Sequence, residues 1–161
     1  MAPHRSRPRY GPHVRLAFGT DEETATTVHW VATLRAAGHE VDEVAVGDPW
    51  PEVGRRVAEA VAGGRADRGV VCCWTGTGVS IAANKVPGVR AALCTDATTA
   101  AGARRYNDAN VVALGLRLTS AEVGDEILQA FLTTEMDDAE VGLVAAVEDR
   151  LPQSGPDGPG A

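Results

Sequence analysis

A cysteine followed by a bend rich in threonine and glycine, Cys73-Trp74-Thr75-Gly76-Thr77-Gly78-Val79-Ser80, holds the residues of this chain best suited to chemistry. The apolar Val70-Val71-Cys72 before it reads as a buried strand, and Ile81-Ala82-Ala83-Asn84-Lys85 after it as part of a helix. A strand–bend–helix of this kind turns backbone N–H groups toward the space above the strand's end, where negative charge is stabilised. A thiol at the lip of such a nest is a candidate base or nucleophile. With the carboxylate of Asp21 at the same mouth, the set suits proton abstraction beside a carbonyl: the thiolate takes the proton while amides hold the enediolate oxygen. An unperturbed thiol has a pKa of about 8.5, so the nest must lower it for that role. The plainer reading of the same residues is a β-turn-α connection with a buried cysteine.

Other chemistries fit less well. Gly76 and Gly78 lie late after a long strand, and position 81 is Ile, so the G-x-G-x-x-G dinucleotide fingerprint is not completed. No Gly-Lys-Ser/Thr follows, which excludes a P-loop. The histidines, His4, His13, His29 and His39, fall away from the expected mouth, so no metal and no cofactor is expected. A formal charge of −7 argues against nucleic acid as a partner. No apolar run approaches the roughly 20 residues that span a bilayer. Cys72, Cys73 and Cys94 lie in or beside expected strands, a poor disulfide framework that points to a reducing, cytoplasmic setting. Lys85 is the one lysine beside fourteen arginines, and its plain reading is a solvated charge at a helix end.

The elements that must position the mouth alternate along the chain. Strands are expected at 14–19, 40–46, 68–73, 89–93 and 110–114, with 40–46 nearer a sheet edge. Helices are expected at 22–37 (capped by Asp21 and ended by Gly38), from about 51 to 62, and at 79–85, 96–105, 120–132 (capped by Ser120) and 139–150. Five strands with crossover helices mean an α/β fold: a three-layer α/β/α sandwich around a five-stranded parallel, Rossmann-like sheet. One domain over 14–151 is expected, with a flexible arm at 1–13 and a disordered Pro/Gly/Ser tail at 152–161. Ligands of such sheets bind beyond the carboxyl ends of the strands. The residues due there are 19–22, 73–78, Thr95-Asp96 and 107–110. Tyr106-Asn107-Asp108-Ala109-Asn110 is a second polar cluster, which turn chemistry alone also explains.

Over about 14–132 the chain resembles the RpiB/LacA/LacB sugar-phosphate isomerases, ribose-5-phosphate isomerase B and galactose-6-phosphate isomerase. The resemblance rests on Thr75-Gly-Thr-Gly78, Ser80-Ile-Ala-Ala-Asn-Lys85, Val89-Arg-Ala-Ala-Leu-Cys94, Asn107-Asp-Ala-Asn-Val111 and Leu114-Gly-Leu-Arg117, in that order. It implies a cytoplasmic homodimer or tetramer with active sites built from two subunits, and metal-free aldose–ketose interconversion of a small sugar or sugar phosphate through a cis-enediol. On it, Cys73 falls at the catalytic base, and Val79 where another branch carries a glutamate. Thr75 and the amides of Gly76, Thr77, Gly78, Val79 and Ser80 form the anion hole. Asp21 matches an active-site aspartate, Asn107 a sugar contact and Arg117 a phosphate ligand.

The departures are as informative. Glu22 stands where the family pattern has histidine, Tyr106 where it has the ring-opening histidine, and Trp74 where it has glycine. The region of the family's phosphate-binding arginines reads Glu135-Met136-Asp137-Asp138-Ala139-Glu140, with no basic residue before Arg150. A phosphate facing carboxylates there loses on the order of a few kcal/mol at an effective dielectric of about 20. The expectation is an isomerase with altered specificity, with Tyr106 or Glu22 assisting ring opening and Trp74 meeting the substrate. The alternative is a catalytically degenerate sugar-binding or regulatory protein of the same fold.

Overall fold

Two interleaved sets of apolar side chains run along residues 16–20, 70–73 and 111–114, and the architecture follows from where each set points. A computed structural model describes residues 13–149. Strands β1 (Arg15–Thr20), β2 (Glu40–Val46), β3 (Arg68–Cys73), β4 (Ala91–Leu93) and β5 (Val111–Gly115) form one parallel sheet in the order β2-β1-β3-β5-β4. The helices are α1 (Ala25–Ala36), α2 (Trp50–Ala62), α3 (Thr77–Ala83), α4 (Ala97–Asn107), α5 (Ala121–Thr133) and α6 (Val141–Glu148), the last preceded by a 3₁₀ turn at Asp138–Glu140. The α/β fold and five-stranded parallel sheet expected from the sequence are present, with β2 at one edge.

Side chains alternate across a strand with period two. Leu16, Phe18, Val70, Cys72, Val112 and Leu114 therefore share one core with Trp30 and Leu34 of α1 and Ile127 and Phe131 of α5. Ala17, Val71, Cys73, Val111 and Ala113 share the other with Val53 and Val57 of α2 and Val79 of α3. Right-handed crossovers explain this division. The steps β1-α1-β2 and β4-α4-β5 run one way along the sheet, and β2-α2-β3 and β3-α3-β4 the other, so α2 and α3 cover the face opposite α1, α4 and α5.

Several local expectations change. Thr24, not Asp21, caps α1: its hydroxyl accepts from the Thr27 N–H while the Thr27 hydroxyl accepts from the Thr24 N–H, a closed capping box that starts the helix at Ala25. Strand β4 begins at Ala91 because the Arg90 N–H donates to the Asn110 carboxamide at 2.8 Å instead of a strand neighbour. Helix α3 starts at Thr77, directly after the bend. Residues 107–110 were expected beyond the carboxyl ends of the strands and lie at the opposite edge. Helix α4 runs antiparallel to the strands, so its last residues meet the start of β5. The expected arm and tail fall outside the described residues, save His13, whose ring nitrogen is hydrogen-bonded to the Gly38 carbonyl.

Helices α1 and α5 meet with no room to spare. The Trp30 indole is fully buried, its N–H donates to the Ala121 carbonyl at 3.0 Å, and a Cβ at Gly124 would lie 2.2 Å from its ring atoms. Gly124→Ala should lower stability by about 1–3 kcal/mol through overpacking. A urea-unfolding midpoint equal to wild type would show that this contact relaxes freely.

Candidate active site

Strand β3 sends α3 to one face of the sheet while its neighbours β1 and β5 send α1 and α5 to the other, and this opens a crevice at each side of its carboxyl end. On the β1 side, the Asp21 N–H donates to the Cys72 carbonyl at 3.3 Å, so Asp21 stands beside the Cys72-Cys73 pair. The neighbouring turn is held by the Thr20 hydroxyl, which donates to the Glu22 carbonyl at 2.7 Å. Burial, with some help from the Glu22 charge, raises the Asp21 carboxyl above its ordinary range. Its Oδ1 is buried without a hydrogen-bond partner. A buried carboxylate oxygen in that state is an acceptor waiting for a donor.

Alternation along β3 separates the two adjacent thiols. Cys72 is fully enclosed, and burial pushes its thiol strongly up. Cys94 is also enclosed, its thiol pushed up to about 11 by burial and then by Asp96. Cys73 sits at the last position of the strand and keeps 5% of its surface accessible. It is the thiol nearest to solvent of the three.

The bend that follows is dictated by glycine. Gly76 adopts φ +76, and a Cβ there would meet the Leu93 side chain at 2.6 Å and the Gly115 nitrogen at 2.9 Å. As Gly76 caps α3, the N–H groups of Thr77, Gly78 and Val79 have no acceptor within the helix. The Ser80 N–H already donates to the Gly76 carbonyl at 3.2 Å, so Ser80 leaves the expected anion hole as an amide donor. The Thr75 and Thr77 hydroxyls share a hydrogen bond of 2.7 Å across the bend.

On the β5 side lies a cavity of about 200 Å³ lined by Trp74, Thr75, Leu93, Thr95, Arg117 and Thr119, among others. Cys73 is not among its lining residues. The Arg117 guanidinium lies 5.9 Å from the centre of the Trp74 ring, a cation–π arrangement, and Arg117 takes part in none of the ion pairs among the described residues.

Tyr106 and Asn107 are not with this group. They are exposed at the end of α4 and line a larger groove of about 620 Å³ with Arg90, Glu140, Leu143 and Glu148. Asp108 and Asn110 beside them are structural. Asp108 accepts from Arg90 at 3.0 Å and from Arg104 at 2.7 Å, and Asn110 clamps the turn before β4 through Arg90 and Gly88. Arg104, a conceivable phosphate ligand, is buried and held by Asp108 and the Ala109 carbonyl. Sequence reasoning passed over Trp50, whose ring lies against Gly78 and so walls the bend. Its one signal was an aromatic residue between two prolines just after β2.

Comparison with known proteins agrees with the fold. Residues 16–143 match the Ribose/Galactose Isomerase family. Ribose-5-phosphate isomerase B of Escherichia coli is 36% identical over 145 residues, 84% of this chain and 97% of that relative. D-erythrulose-4-phosphate isomerase of Pectobacterium atrosepticum is 38% identical over 128 residues, 76% of this chain and 84% of that one. Among solved structures, type B ribose 5-phosphate isomerase from Leishmania infantum superposes with a TM-score of 0.80 at 33% identity, covering 86% of this chain and 96% of its own. Ribose-5-phosphate isomerase B of Clostridium thermocellum gives 0.78 at 34% identity, covering 84% and 95%. With matches spanning the sheet, the bend and both crevices, the chain belongs to the Ribose/Galactose Isomerase family of sugar-phosphate isomerases.

Proposed function

We propose that this chain interconverts an aldose and a ketose through a cis-enediol, with Cys73 as the base. The thiolate removes the proton from the carbon beside the carbonyl and returns it to the former carbonyl carbon, and the hydroxyl proton moves between the two oxygens. Thr75 and the free amides of the bend hold the oxygen that gains charge. Asp21 accepts a hydrogen bond from a sugar hydroxyl. The observation that carries this reading is the unpartnered Asp21 oxygen beside β3, whose end bears both the least enclosed thiol and the glycine bend. The substrate is a small sugar or sugar phosphate bound with altered specificity, since Arg104 is committed to Asp108 and no histidine stands at Glu22 or Tyr106. Three free cysteines fit a reducing cytoplasm.

The working unit is a homodimer or a dimer of dimers with shared sites. Tyr106 and Asn107 sit at the opposite edge of the sheet from Cys73, so they reach such a mouth only from a second copy. The exposed Val141, Leu143 and Val147 of α6 are apolar surface for that copy to cover. Tyr106 of one copy or Glu22 of the other then assists ring opening. A second reading, a sugar-binding protein without turnover, is favoured by one observation: Cys73 does not line the neighbouring cavity.

In D₂O with a panel of aldoses and their phosphates, the wild type should incorporate deuterium at C2, and Cys73→Ala should slow this by roughly 10²–10⁴-fold. No incorporation across the panel, with ligand affinity unchanged in Cys73→Ala, would establish the binding-protein reading. Where Tyr106 is the ring-opening group, Cys73→Ala and Tyr106→Ala proteins are each impaired alone and should recover roughly a quarter of wild-type activity after mixing and subunit exchange, because the mixed dimer has one intact site. No recovery from an impaired Tyr106→Ala protein would rule out Tyr106 acting in the partner's site.

The Asp21 assignment predicts a conflict between function and stability. Its folded pKa is raised, so the folded state holds that proton more tightly than the unfolded chain. Stability therefore falls as pH rises through the window between the ordinary value, about 3.9, and the raised one. Asp21→Asn, which keeps an acceptor oxygen but loses the charge, should slow exchange yet unfold at higher urea than wild type near pH 7, with the advantage gone near pH 3, where both forms are neutral. An unchanged or lower midpoint at neutral pH contradicts this.

A further inference from the structure

Alternation along β3 turns Cys73 toward the face of the sheet that α2 and α3 cover, where it shares a core with Val53 of α2 and Val79 of α3. It does not line the cavity beside Trp74. Both helices begin at the carboxyl end of the sheet, the end at which Cys73 closes its strand. The first residue of α2 is Trp50, and 45% of its surface is exposed.

The place of that indole is fixed from several sides. Pro49 and Pro51 set the backbone before and after it. The Gly47 N–H donates to the Thr20 carbonyl at 2.9 Å, which ties the chain leading to Trp50 to the residue before Asp21. Helix α2 is seated on α3 without slack: a Cβ at Gly54 would lie 2.6 Å from the Ala82 Cβ and 2.8 Å from the Val79 carbonyl oxygen. The ring itself lies on Gly78, where a Cβ would stand 3.0 Å from two of its atoms. The Gly78 N–H is one of the three at the start of α3 with no acceptor in the helix. An open aromatic surface therefore leans on the residue whose amide is free for a ligand. A sugar carries hydroxyls around its edge and C–H groups on its faces. The amides of the bend and the Asp21 oxygen match the hydroxyls, and an indole matches the C–H groups, since it offers a large apolar area that is already rigid.

We infer that Trp50 is a further substrate-contacting residue, a platform on which the C–H face of the sugar rests while the bend holds its oxygens. This rests on the isomerase reading only in taking the bend as the place where the sugar binds.

The test uses erythrose 4-phosphate, ribose 5-phosphate and allose 6-phosphate with wild type, Trp50→Leu, Trp50→Phe and Trp74→Phe, by calorimetry, deuterium exchange and indole fluorescence. Trp50→Leu keeps an apolar cover on Gly78 but has no flat face. It should weaken binding and raise KM by roughly tenfold, with the loss in KM and not in kcat. Trp50→Phe, which restores a face, should recover most of that loss. In Trp74→Phe the one exposed indole left is Trp50, so its emission should change on saturation with the ester that binds best. Affinity and KM unchanged in a folded Trp50→Leu protein overturn the inference, as does an unchanged emission in Trp74→Phe or a wild type that binds none of the three esters. Two outcomes separate this claim from the reaction. Weaker binding in Trp50→Leu with no exchange by any of the proteins leaves the platform standing and sinks the isomerase reading. Exchange by Trp50→Leu with wild-type KM does the reverse.

Discussion

The site depends on the close approach of the Thr75-Gly76 backbone to the end of β5. Cys73 pairs with Gly115, the Cys73 and Trp74 carbonyls accept from Leu116 and Arg117, and a Cβ at Gly115 would lie 2.7 Å from the Thr75 carbonyl oxygen. Gly76 of the bend and Gly115 of β5 therefore face each other where neither could carry a side chain. That contact turns the chain sharply after Cys73 and sends α3 to one face of the sheet. It also brings Arg117 over Trp74. The thiol, the free amides and the arginine owe their mutual placement to it.

Charge is distributed unevenly about this centre. At the starting edge of β4 and β5, Arg90 and Arg104 converge on Asp108, Arg90 also reaches Glu148 at 2.6 Å, and Arg104 lies over the Phe131 ring. Asp108 itself holds a left-handed φ of 45, a conformation that Asp adopts more readily than most residues. These contacts tie α4 and α6 to the sheet. Removing Asp108 would leave the buried Arg104 charge without its carboxylate, so the arginines there serve the fold. At the other edge, Asp21 carries the opposite condition, a partly buried carboxylate with an oxygen left unbonded. Such a group weakens the folded state as long as that oxygen lacks a donor.

The acidic stretch 135–140 shows how far one-dimensional reading reaches. Its composition raised the expectation of carboxylates facing a substrate phosphate. In the folded chain the Asp137 N–H donates to the Arg105 carbonyl, the Asp137 carboxylate caps the following turn, and Glu140 borders the groove that holds Tyr106. Its carboxylates thus lie with the Tyr106 group, away from the Cys73 mouth of the same chain. The departures at Tyr106 and Trp74 likewise separate in space: one belongs to the far groove, the other to the cavity beside the bend.

What was legible in the chain itself were the features set by local rules. The apolar runs at 14–19, 68–73 and 110–114 announced buried strands, the glycines announced the bend, and Ser120 announced its cap, because run length, φ > 0 and N–H satisfaction are decided within a few residues. The division of Cys72 from Cys73 follows from side-chain alternation along β3. Folding alone decided which of these local pieces meet. Strand order put Asp21 beside Cys72, the antiparallel run of α4 carried Tyr106 and Asn107 to the opposite edge, and the β3–β5 contact set Arg117 on Trp74. Those outcomes rest on contacts between residues more than 30 positions apart in the chain, and local preferences carry no information about such pairings.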